Sequence, residues 1–181
     1  MTSLEIPDVK LFTPKRFGDA RGYFAETYTQ NKFDALYPGI VFVQDNESCS
    51  RDRYTVRGLH YQAPPFAQDK LVRVVKGRIF DVAVDVRSAS STYGRWVGVE
   101  LSEENGKQLL APKGFLHGFM TLEPHTIVAY KVTNFYDAAS DGAVYWASPE
   151  LDIDWPAGEG QAVLSSKDED ARRFADFDSP F

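Results

Sequence analysis

The sequence is poor in sulfur and in histidine: its 181 residues include one cysteine, two methionines and three histidines. The single cysteine, Cys49, excludes an internal disulfide and every metal site built from several cysteines. The histidines, His60, His117 and His125, form no close pair along the chain. Long apolar runs are also missing, since no stretch approaches the roughly 18 residues of a membrane span. These shortages argue against a disulfide-rich, cysteine-metal or membrane-spanning protein.

Basic residues are fewer than acidic ones, 20 against 26, which gives a formal net charge of −6. We therefore expect no nucleic-acid partner and no membrane partner, although a local basic pocket can still hold a phosphate group. No charged leader followed by an apolar run is found, so a cytoplasmic location is expected. With 43% hydrophobic and 14% aromatic residues, the chain is expected to fold as one domain over residues 1–181.

Short segments of alternating apolar and polar residues dominate the middle of the chain. The clearest run, KLVRVVKGRIFDVAVDVR, predicts strands over 70–75 and 78–86, joined by a hairpin-type break at Lys76 and Gly77. Further strands are predicted over 95–101, 108–112, 118–122 and 126–136. Because no long amphipathic helix separates these segments, the predicted fold class is all-β, an antiparallel sandwich or barrel.

Helical signals are confined to two places. The segment 29–39 predicts a short helix that ends at Pro38 and Gly39. The segment 165–177 predicts a second helix, with Ser165 or Ser166 as its N-cap and acidic residues in its first turn. The sequence therefore predicts a β-protein with a few short helices.

His60 lies in the strand-like segment TVRGLHYQAPP, and three roles are open to its imidazole: metal ligand, buried core residue or general base. Cupin-type barrels often bind a metal through a His-x-His pair, but position 62 is occupied by Gln62. Three separated histidines make a poor ligand set, because such sites need three or four converging donors. We therefore expect no metal and no cofactor.

As a base, His60 is suited to neutral pH, since an imidazole titrates near pH 6.5, and a neighbouring carboxylate can fix its tautomer. Asp81, Asp85 and Asp168 are the candidate carboxylates, and their spacing does not choose among them. In regular strand geometry Arg57 and His60 point to opposite faces, so a bend or bulge is needed for both to reach one pocket. A buried core histidine is an equally good interpretation of the local sequence.

Several other polar residues have two interpretations of the same kind. Lys70 lies at the start of a predicted strand, where its side chain can either extend into solvent at a strand edge or supply a positive charge in a pocket. Tyr130 lies in the middle of a strand, where tyrosines mostly pack. Arg21 and Glu26 flank aromatic residues in DARGYFAE, and a surface ion pair is the simpler explanation for them.

Taken together, these segments resemble the dTDP-4-dehydrorhamnose 3,5-epimerase family, over roughly residues 5 to 175 and in the family's order. The combination of Arg-Gly-Leu-His, Lys-Leu-Val-Arg-Val and Gly-Phe-x-His-Gly-Phe is highly specific, while no single one of these is. The matching segments are FGDARGYFAE, FVQDNESCS, VRGLHYQAPPFAQDKLVRVVKGRIFDVAVDVR, GRWVGVELSEEN, APKGFLHGF, YKVTNFY and LSSKD.

The resemblance implies a metal-free cupin-like jelly roll, a homodimer, and epimerisation of a dTDP-linked 4-keto-6-deoxy sugar at C3 and C5. It assigns the base to His60, which is held by Asp168. Tyr130 matches the acid on the opposite face of the sugar, and Lys70 matches a cation near the C4 oxygen. In this account the catalytic residues are His60, Tyr130, Asp168 and Lys70.

The resemblance also implies a set of residues that contact the substrate, and it places the segment from Arg21 to Glu26 in the pocket of the partner subunit. Arginine's bidentate fork suits the diphosphate, for which Arg21 and Arg57 are expected. The full set expected to contact the substrate is Arg21, Phe24, Glu26, Gln44, Asn46, Arg57, Asp81, His117, Asp141 and Lys167.

The chain departs from the family's pattern at three positions, Phe135, Asp141 and Ser148. Phe135 and Tyr136 stand where two adjacent tyrosines are usual, Asp141 replaces a glutamate, and Ser148 replaces an aspartate. None of these changes removes the expected base, acid or cation, but the changes at Phe135 and Asp141 leave the nucleotide preference open. The alternatives are an epimerase that inverts only C3 or only C5, a sugar ketoisomerase, and a non-catalytic sugar-binding cupin.

Overall fold

The computed structural model describes residues 2–181, and the side chains of residues 4–181. Within that range, thirteen strands and two short α-helices follow one another. The strands are β1 Thr2–Ser3, β2 Lys10–Phe12, β3 Arg16–Asp19, β4 Gly22–Ala25, β5 Gln44–Ser50, β6 Val56–Gln62, β7 Lys70–Lys76, β8 Arg78–Asp85, β9 Trp96–Ser102, β10 Gln108–Ala111, β11 Phe115–Thr121, β12 Thr126–Val132 and β13 Asp141–Ala143. The helices are α1 Gln30–Leu36 and α2 Ser166–Glu169.

Two antiparallel sheets form the body of the molecule. The larger has the order β1-β2-β10-β7-β12-β5, and the smaller has the order β13-β6-β11-β8-β9. Buried side chains from both sheets form one cluster, to which Val72 and Leu109 contribute from the larger sheet and Ile79 and Phe119 from the smaller. This antiparallel sandwich confirms the predicted all-β fold class.

The predicted hairpin at Lys76 and Gly77 is wrong. β7 and β8 are consecutive, but β7 pairs with β10 and β12 while β8 pairs with β9 and β11. Gly77 has a φ of 80°, which favours glycine, and a Cβ there would lie 2.4 Å from Thr126 Oγ1. The chain therefore crosses from one sheet to the other at this glycine, and alternation alone does not distinguish such a crossing from a hairpin.

The helix predicted over 29–39 is present as α1, where it buries Phe33 in an aromatic cluster. The helix predicted over 165–177 is much shorter, since α2 ends at Glu169 and only a 3₁₀ turn follows at Phe174–Asp176. Phe174 and Phe177 pack instead in the apolar cluster beneath Leu59 and Val84. The burial of these two rings explains why the chain leaves the helical path. No helix among residues 2–181 is long and apolar enough to cross a membrane.

Candidate active site

A cavity of about 400 Å³ opens on the inner side of the sandwich. Its walls are supplied by β5, β6, β7, β11 and β12, together with the segment that leads into α2. The lining residues are Ser48, Thr55, Val56, Arg57, His60, Lys70, His117, Phe119, Tyr130, Val163, Leu164, Ser165 and Asp168. Six of these were expected from the sequence, including the entire set expected to be catalytic.

A β-bulge in β6 lets Arg57 and His60 share this cavity. His60 pairs with His117 of β11, but the next pair joins Arg57 to Phe119, so β6 has three steps where β11 has two. The extra residue reverses the alternation, and both side chains face inward. Gly58 occupies the bulge with a φ of 131°, and a Cβ there would lie 2.5 Å from the backbone of the facing strand. The bend that the sequence required is therefore present.

His60 and Asp168 form a hydrogen-bonded dyad, with 2.5 Å between His60 Nε2 and Asp168 Oδ1. The hydroxyl of Ser165 donates to the other carboxylate oxygen over 2.7 Å, and the Gly58 N–H also donates to this carboxylate. Burial would raise the pKa of Asp168, but the hydrogen bonds from His60, Ser165 and Gly58 outweigh it and hold that pKa below its ordinary value. Asp168 is therefore the carboxylate that orients His60.

The other two candidate aspartates have different partners. Asp81 lies within 2.8 Å of His117 Nε2, so a second His–Asp pair stands beside the first, with Asp81 fully buried behind the histidine. Asp85 accepts two hydrogen bonds from the Arg87 side chain and takes no part in the cavity. The choice among the three aspartates, which spacing left open, is thus made by tertiary structure.

Lys70 and Tyr130 complete the polar wall of the cavity. Burial lowers the pKa of Lys70 to about 8, against the opposing influence of the Asp141 and Asp81 carboxylates. Burial raises the pKa of Tyr130, while the Arg57 charge acts in the opposite direction. Near neutral pH the lysine is therefore a cation and the tyrosine a neutral phenol.

Four of the expected substrate contacts lie beside the cavity rather than in its lining. Gln44 Nε2 donates to Asn46 Oδ1 over 2.9 Å on the inner face of β5. Lys167 Nζ lies 2.5 Å from Asp141 Oδ2, and the exposed Tyr136 hydroxyl donates to the same oxygen over 3.3 Å. These groups border the cavity on the side of Lys70, whose pKa responds to the charges of both Asp141 and Lys167.

Arg21, Phe24 and Glu26 do not reach the cavity of their own chain. They belong to the hairpin β3–β4 and its exit, where Arg21 pairs with Asp19 and Glu26 pairs with Lys32. The ring of Phe24 is 70% exposed.

Sequence reasoning missed seven lining residues. For Ser48 a signal existed, because alternation from Gln44 and Asn46 places it on the same strand face. For Thr55 and Val163 there was none, since they meet through an isolated bridge between distant segments. The missed residues are Ser48, Thr55, Val56, Phe119, Val163, Leu164 and Ser165.

Ser148, one of the departures from the family's pattern, has a structural place. It is buried, its hydroxyl donates to the Tyr145 carbonyl over 2.7 Å, and its oxygen accepts the Phe174 N–H over 3.0 Å. It does not line the cavity.

The arrangement can carry out proton transfer next to a carbonyl group. A carboxylate-held imidazole, a neutral phenol and a buried ammonium line one cavity. In the described part of the chain, no group of three or more His, Cys, Asp or Glu side chains is arranged to hold a metal ion.

Comparisons with known proteins agree with this chemistry. A family model described as dTDP-4-dehydrorhamnose 3,5-epimerase matches residues 3–176. The dTDP-4-dehydrorhamnose 3,5-epimerase of Sinorhizobium fredii is 53% identical over 166 residues, which cover 92% of this chain and 85% of the relative.

Two solved structures are similar over nearly their whole length. The 3,5-epimerase of Legionella pneumophila, in complex with dTDP-4-keto-L-rhamnose, has a TM-score of 0.92 at 44% identity, covering 97% of this chain and 93% of that one. The dTDP-4-dehydrorhamnose 3,5-epimerase of Bacillus anthracis, with TDP and pyrophosphate bound, has a TM-score of 0.91 at 47% identity, covering 94% and 97%. The expected cupin-like architecture is thereby confirmed.

Proposed function

Because this chain belongs to the dTDP-4-dehydrorhamnose 3,5-epimerase family, we propose that it converts dTDP-4-dehydro-6-deoxy-D-glucose to dTDP-4-dehydro-L-rhamnose. The observation that carries the proposal is the His60–Asp168 dyad, in one cavity with Tyr130 and Lys70. Protons on C3 and C5 of such a sugar are acidic because both carbons neighbour the C4 ketone. Removing either proton gives an enolate, which the enzyme must stabilise and then protonate from the other face.

His60 is the base in this proposal. Its Nε2 is engaged by Asp168, which leaves Nδ1 to accept the proton from C3 or C5. The adjacent carboxylate stabilises the imidazolium that forms and holds the ring in one orientation. Because the same His60–Asp168 dyad acts on both carbons, C3 and C5 of the sugar must be placed against His60 one after the other.

Lys70 stabilises the enolate, and Tyr130 protonates it. A buried ammonium placed near the C4 oxygen offsets the developing negative charge more strongly than a solvated one does. The raised pKa of Tyr130 keeps its phenol protonated, so that it can deliver a proton to the face opposite His60. His117, held by Asp81, binds a sugar oxygen beside them.

The nucleotide part of the substrate occupies the polar border of the cavity. Arg57 supplies positive charge for the diphosphate. Gln44, Asn46, Asp141 and Lys167 contact the nucleotide or the sugar, next to the exposed ring of Tyr136. We propose no cofactor, because base, acid and cation are all supplied by side chains.

We further propose a homodimer in which the β3–β4 hairpin of one chain completes the cavity of the other. The hairpin presents Phe17, Tyr23 and Phe24 with 53%, 60% and 70% of their surface exposed. Three exposed aromatic rings on a two-stranded hairpin are typical of a protein interface. Arg21 and Glu26 of the same segment then reach the diphosphate and nucleotide in the partner's cavity.

The remaining proposals concern the whole chain. We propose that residues 1–181 form a single domain, and that it works in the cytoplasm on a nucleotide sugar, with no nucleic-acid or membrane partner.

Proton NMR of the substrate with the purified protein in D₂O, without added metal, tests the function. Deuterium entering both C3 and C5 with formation of the L-configured product is expected. Exchange or inversion at one carbon indicates a monoepimerase, and movement of the ketone between C3 and C4 indicates a ketoisomerase. If a folded sample gives no exchange at either carbon, the proposed function is wrong, and a sugar-binding cupin becomes the better description.

A further inference from the structure

The inner face of β5 carries four polar side chains at alternate positions: Gln44, Asn46, Ser48 and Ser50. Gln44 and Asn46 are hydrogen-bonded to each other. Ser50 Oγ accepts a hydrogen bond from Arg57 Nε over 3.1 Å. Three of these four side chains therefore have a protein partner.

Ser48 is the exception. Ser48 lines the cavity, and its hydroxyl oxygen is buried without a hydrogen-bond partner among residues 4–181, whose side chains the structure describes. A buried polar atom without a partner costs free energy, so folded proteins rarely keep one unless it serves a purpose. Since Ser48 lines the cavity, a ligand bound there is the natural partner for its hydroxyl group.

Sheet register locates Ser48 between two parts of the site. It pairs with Val128 of β12, and the adjacent register pair on the same face is Asn46 with Tyr130. In the other direction along β5 lies Ser50, to which Arg57 is bonded. Ser48 thus stands between the residue proposed as the acid and the arginine proposed to bind the diphosphate.

The Arg57 guanidinium is fixed at this end of β5. Besides its bond to Ser50, its Nη2 donates to the Cys49 carbonyl over 3.2 Å. These two bonds use part of the guanidinium's five N–H donors and leave the rest for an anion. An anion held by Arg57 would therefore lie at the strand face that also carries Ser48.

We propose that Ser48 is a substrate-binding residue whose hydroxyl donates a hydrogen bond to the substrate's diphosphate. The proposal rests on the proposed function, since it takes a nucleoside diphosphate sugar as the ligand. A serine in a strand holds its hydroxyl in few orientations, so the bond fixes the phosphate beside Arg57 and sets the depth of the sugar in the cavity.

Calorimetric titration of dTDP into the purified protein and its variants tests this role. Ser48→Ala is expected to weaken dTDP binding by about tenfold, since a hydrogen bond to a charged group is lost. Cys49→Ala is the matched control, because it removes one exposed atom from the outward face of the same strand. It is expected to bind dTDP as the unaltered protein does.

Thermal unfolding separates binding from a structural role. Without ligand, Ser48→Ala is expected to unfold at the same or a slightly higher temperature, because the lost hydroxyl has no partner in the protein. In the presence of dTDP it is expected to be stabilised less than the unaltered protein. A lower melting temperature without ligand would mean that Ser48 supports the fold, and would overturn the proposal.

Unchanged dTDP binding by Ser48→Ala would also overturn the proposal that Ser48 binds the diphosphate. If this variant bound dTDP normally but catalysed poorly, the hydroxyl would have to contact the sugar instead. Failure of the unaltered protein to bind dTDP is a different outcome. It would overturn the proposed function itself, and with it this role for Ser48.

Discussion

Three histidines in this chain have three different surroundings, and those surroundings decide their chemistry. The His60 side chain is 28% exposed, lines the cavity and is bonded to Asp168. His117 is buried against Asp81. His125 lies outside the cavity, at a position of positive φ. Only His60 combines a carboxylate partner with substantial access, which is what a base acting on a bound substrate requires.

Lys70 should give the enzyme an alkaline limit. Its pKa of about 8 means that the ammonium is present below that pH and lost above it. If the cation stabilises the enolate, kcat/KM should fall tenfold per pH unit as the pH rises past about 8. In Lys70→Arg, whose side chain stays charged, the fall in kcat/KM should move to higher pH. The maximum value of kcat/KM should be lower than in the unaltered protein. The pH profile of kcat/KM is the measurement.

The exposed Lys113 provides the control for this experiment. Lys113→Arg should keep both the rate and the alkaline limit of the unaltered protein. An alkaline limit that stays in place in Lys70→Arg would assign it to another group and would remove Lys70 from the mechanism.

At the residue scale, the sequence supplied candidates but not their pairing. Asp81, Asp85 and Asp168 were equal in sequence, and the structure brings Asp168 to His60 across 108 positions. Such pairing depends on how strands and loops pack, which local pattern does not encode. The resemblance to a family named Asp168, the aspartate that the structure places against His60, whereas composition and spacing alone did not.

Among the elements, the bulge in β6 has the greatest effect on the site. Alternation predicted most strands to within a few residues, because each buries one face against a common core. It did not predict the extra residue at Gly58, nor the crossing between sheets at Gly77. Both depend on backbone conformations that favour glycine and on close contact with a facing strand. Alternation describes a strand's faces and contains no information about those contacts.

Gly58→Ala should therefore damage both stability and activity. The added Cβ would lie 2.5 Å from Gly118 Cα and 2.8 Å from the His117 carbonyl oxygen, at a φ of 131°. We expect a loss of about 2–4 kcal/mol in the free energy of unfolding, from backbone strain and overpacking together. Urea denaturation measures this loss of stability. The deuterium-exchange assay in D₂O measures the loss of activity that a displaced His60 should cause.

Gly160→Ala is the matched control for this change, since nothing lies within 4 Å of its added Cβ. It should unfold within about 1 kcal/mol of the unaltered protein. Equal stability of the Gly58 and Gly160 variants would mean that β6 tolerates a side chain at the bulge, contrary to the packing described here.

At the scale of the whole molecule, one chain supplies the residues proposed as base, acid and cation but leaves three expected contacts outside its cavity. Arg21, Phe24 and Glu26 all lie on or next to the exposed β3–β4 hairpin. A second copy of the chain that places this hairpin over the cavity would bring charge and an aromatic ring to the nucleotide. If the proposed dimer forms, it is the functional unit, since one chain alone does not bring all the expected contacts to its cavity.

Mixing two inactive variants tests this arrangement. Arg21→Ala and His60→Ala should each lose most activity alone, because every site lacks one required group. In a mixed dimer, the chain with intact His60 receives intact Arg21 from its partner, so one of its two sites is complete. Random mixing of equal amounts should restore about a quarter of full activity. The two variants are unfolded, mixed and refolded together, and the deuterium-exchange assay then measures how much activity is recovered.

One control mixture defines the outcome. Mixing His60→Ala with Asp168→Ala should restore nothing, because both residues act within one chain and every site in the mixed dimer remains defective. If the Arg21 and His60 mixture also stays inactive although mixed dimers form, then Arg21 acts in its own chain and the shared site is wrong.

The most direct test of the mechanism is the fate of deuterium and configuration when the Tyr130→Phe variant acts on the substrate in D₂O. In this variant His60 is still expected to remove protons, so deuterium enters C3 and C5. Without the acid on the opposite face, it returns from the side of His60, and the sugar keeps its configuration. Inversion at the rate of the unaltered protein would contradict the account, because Tyr130 would then not be the acid.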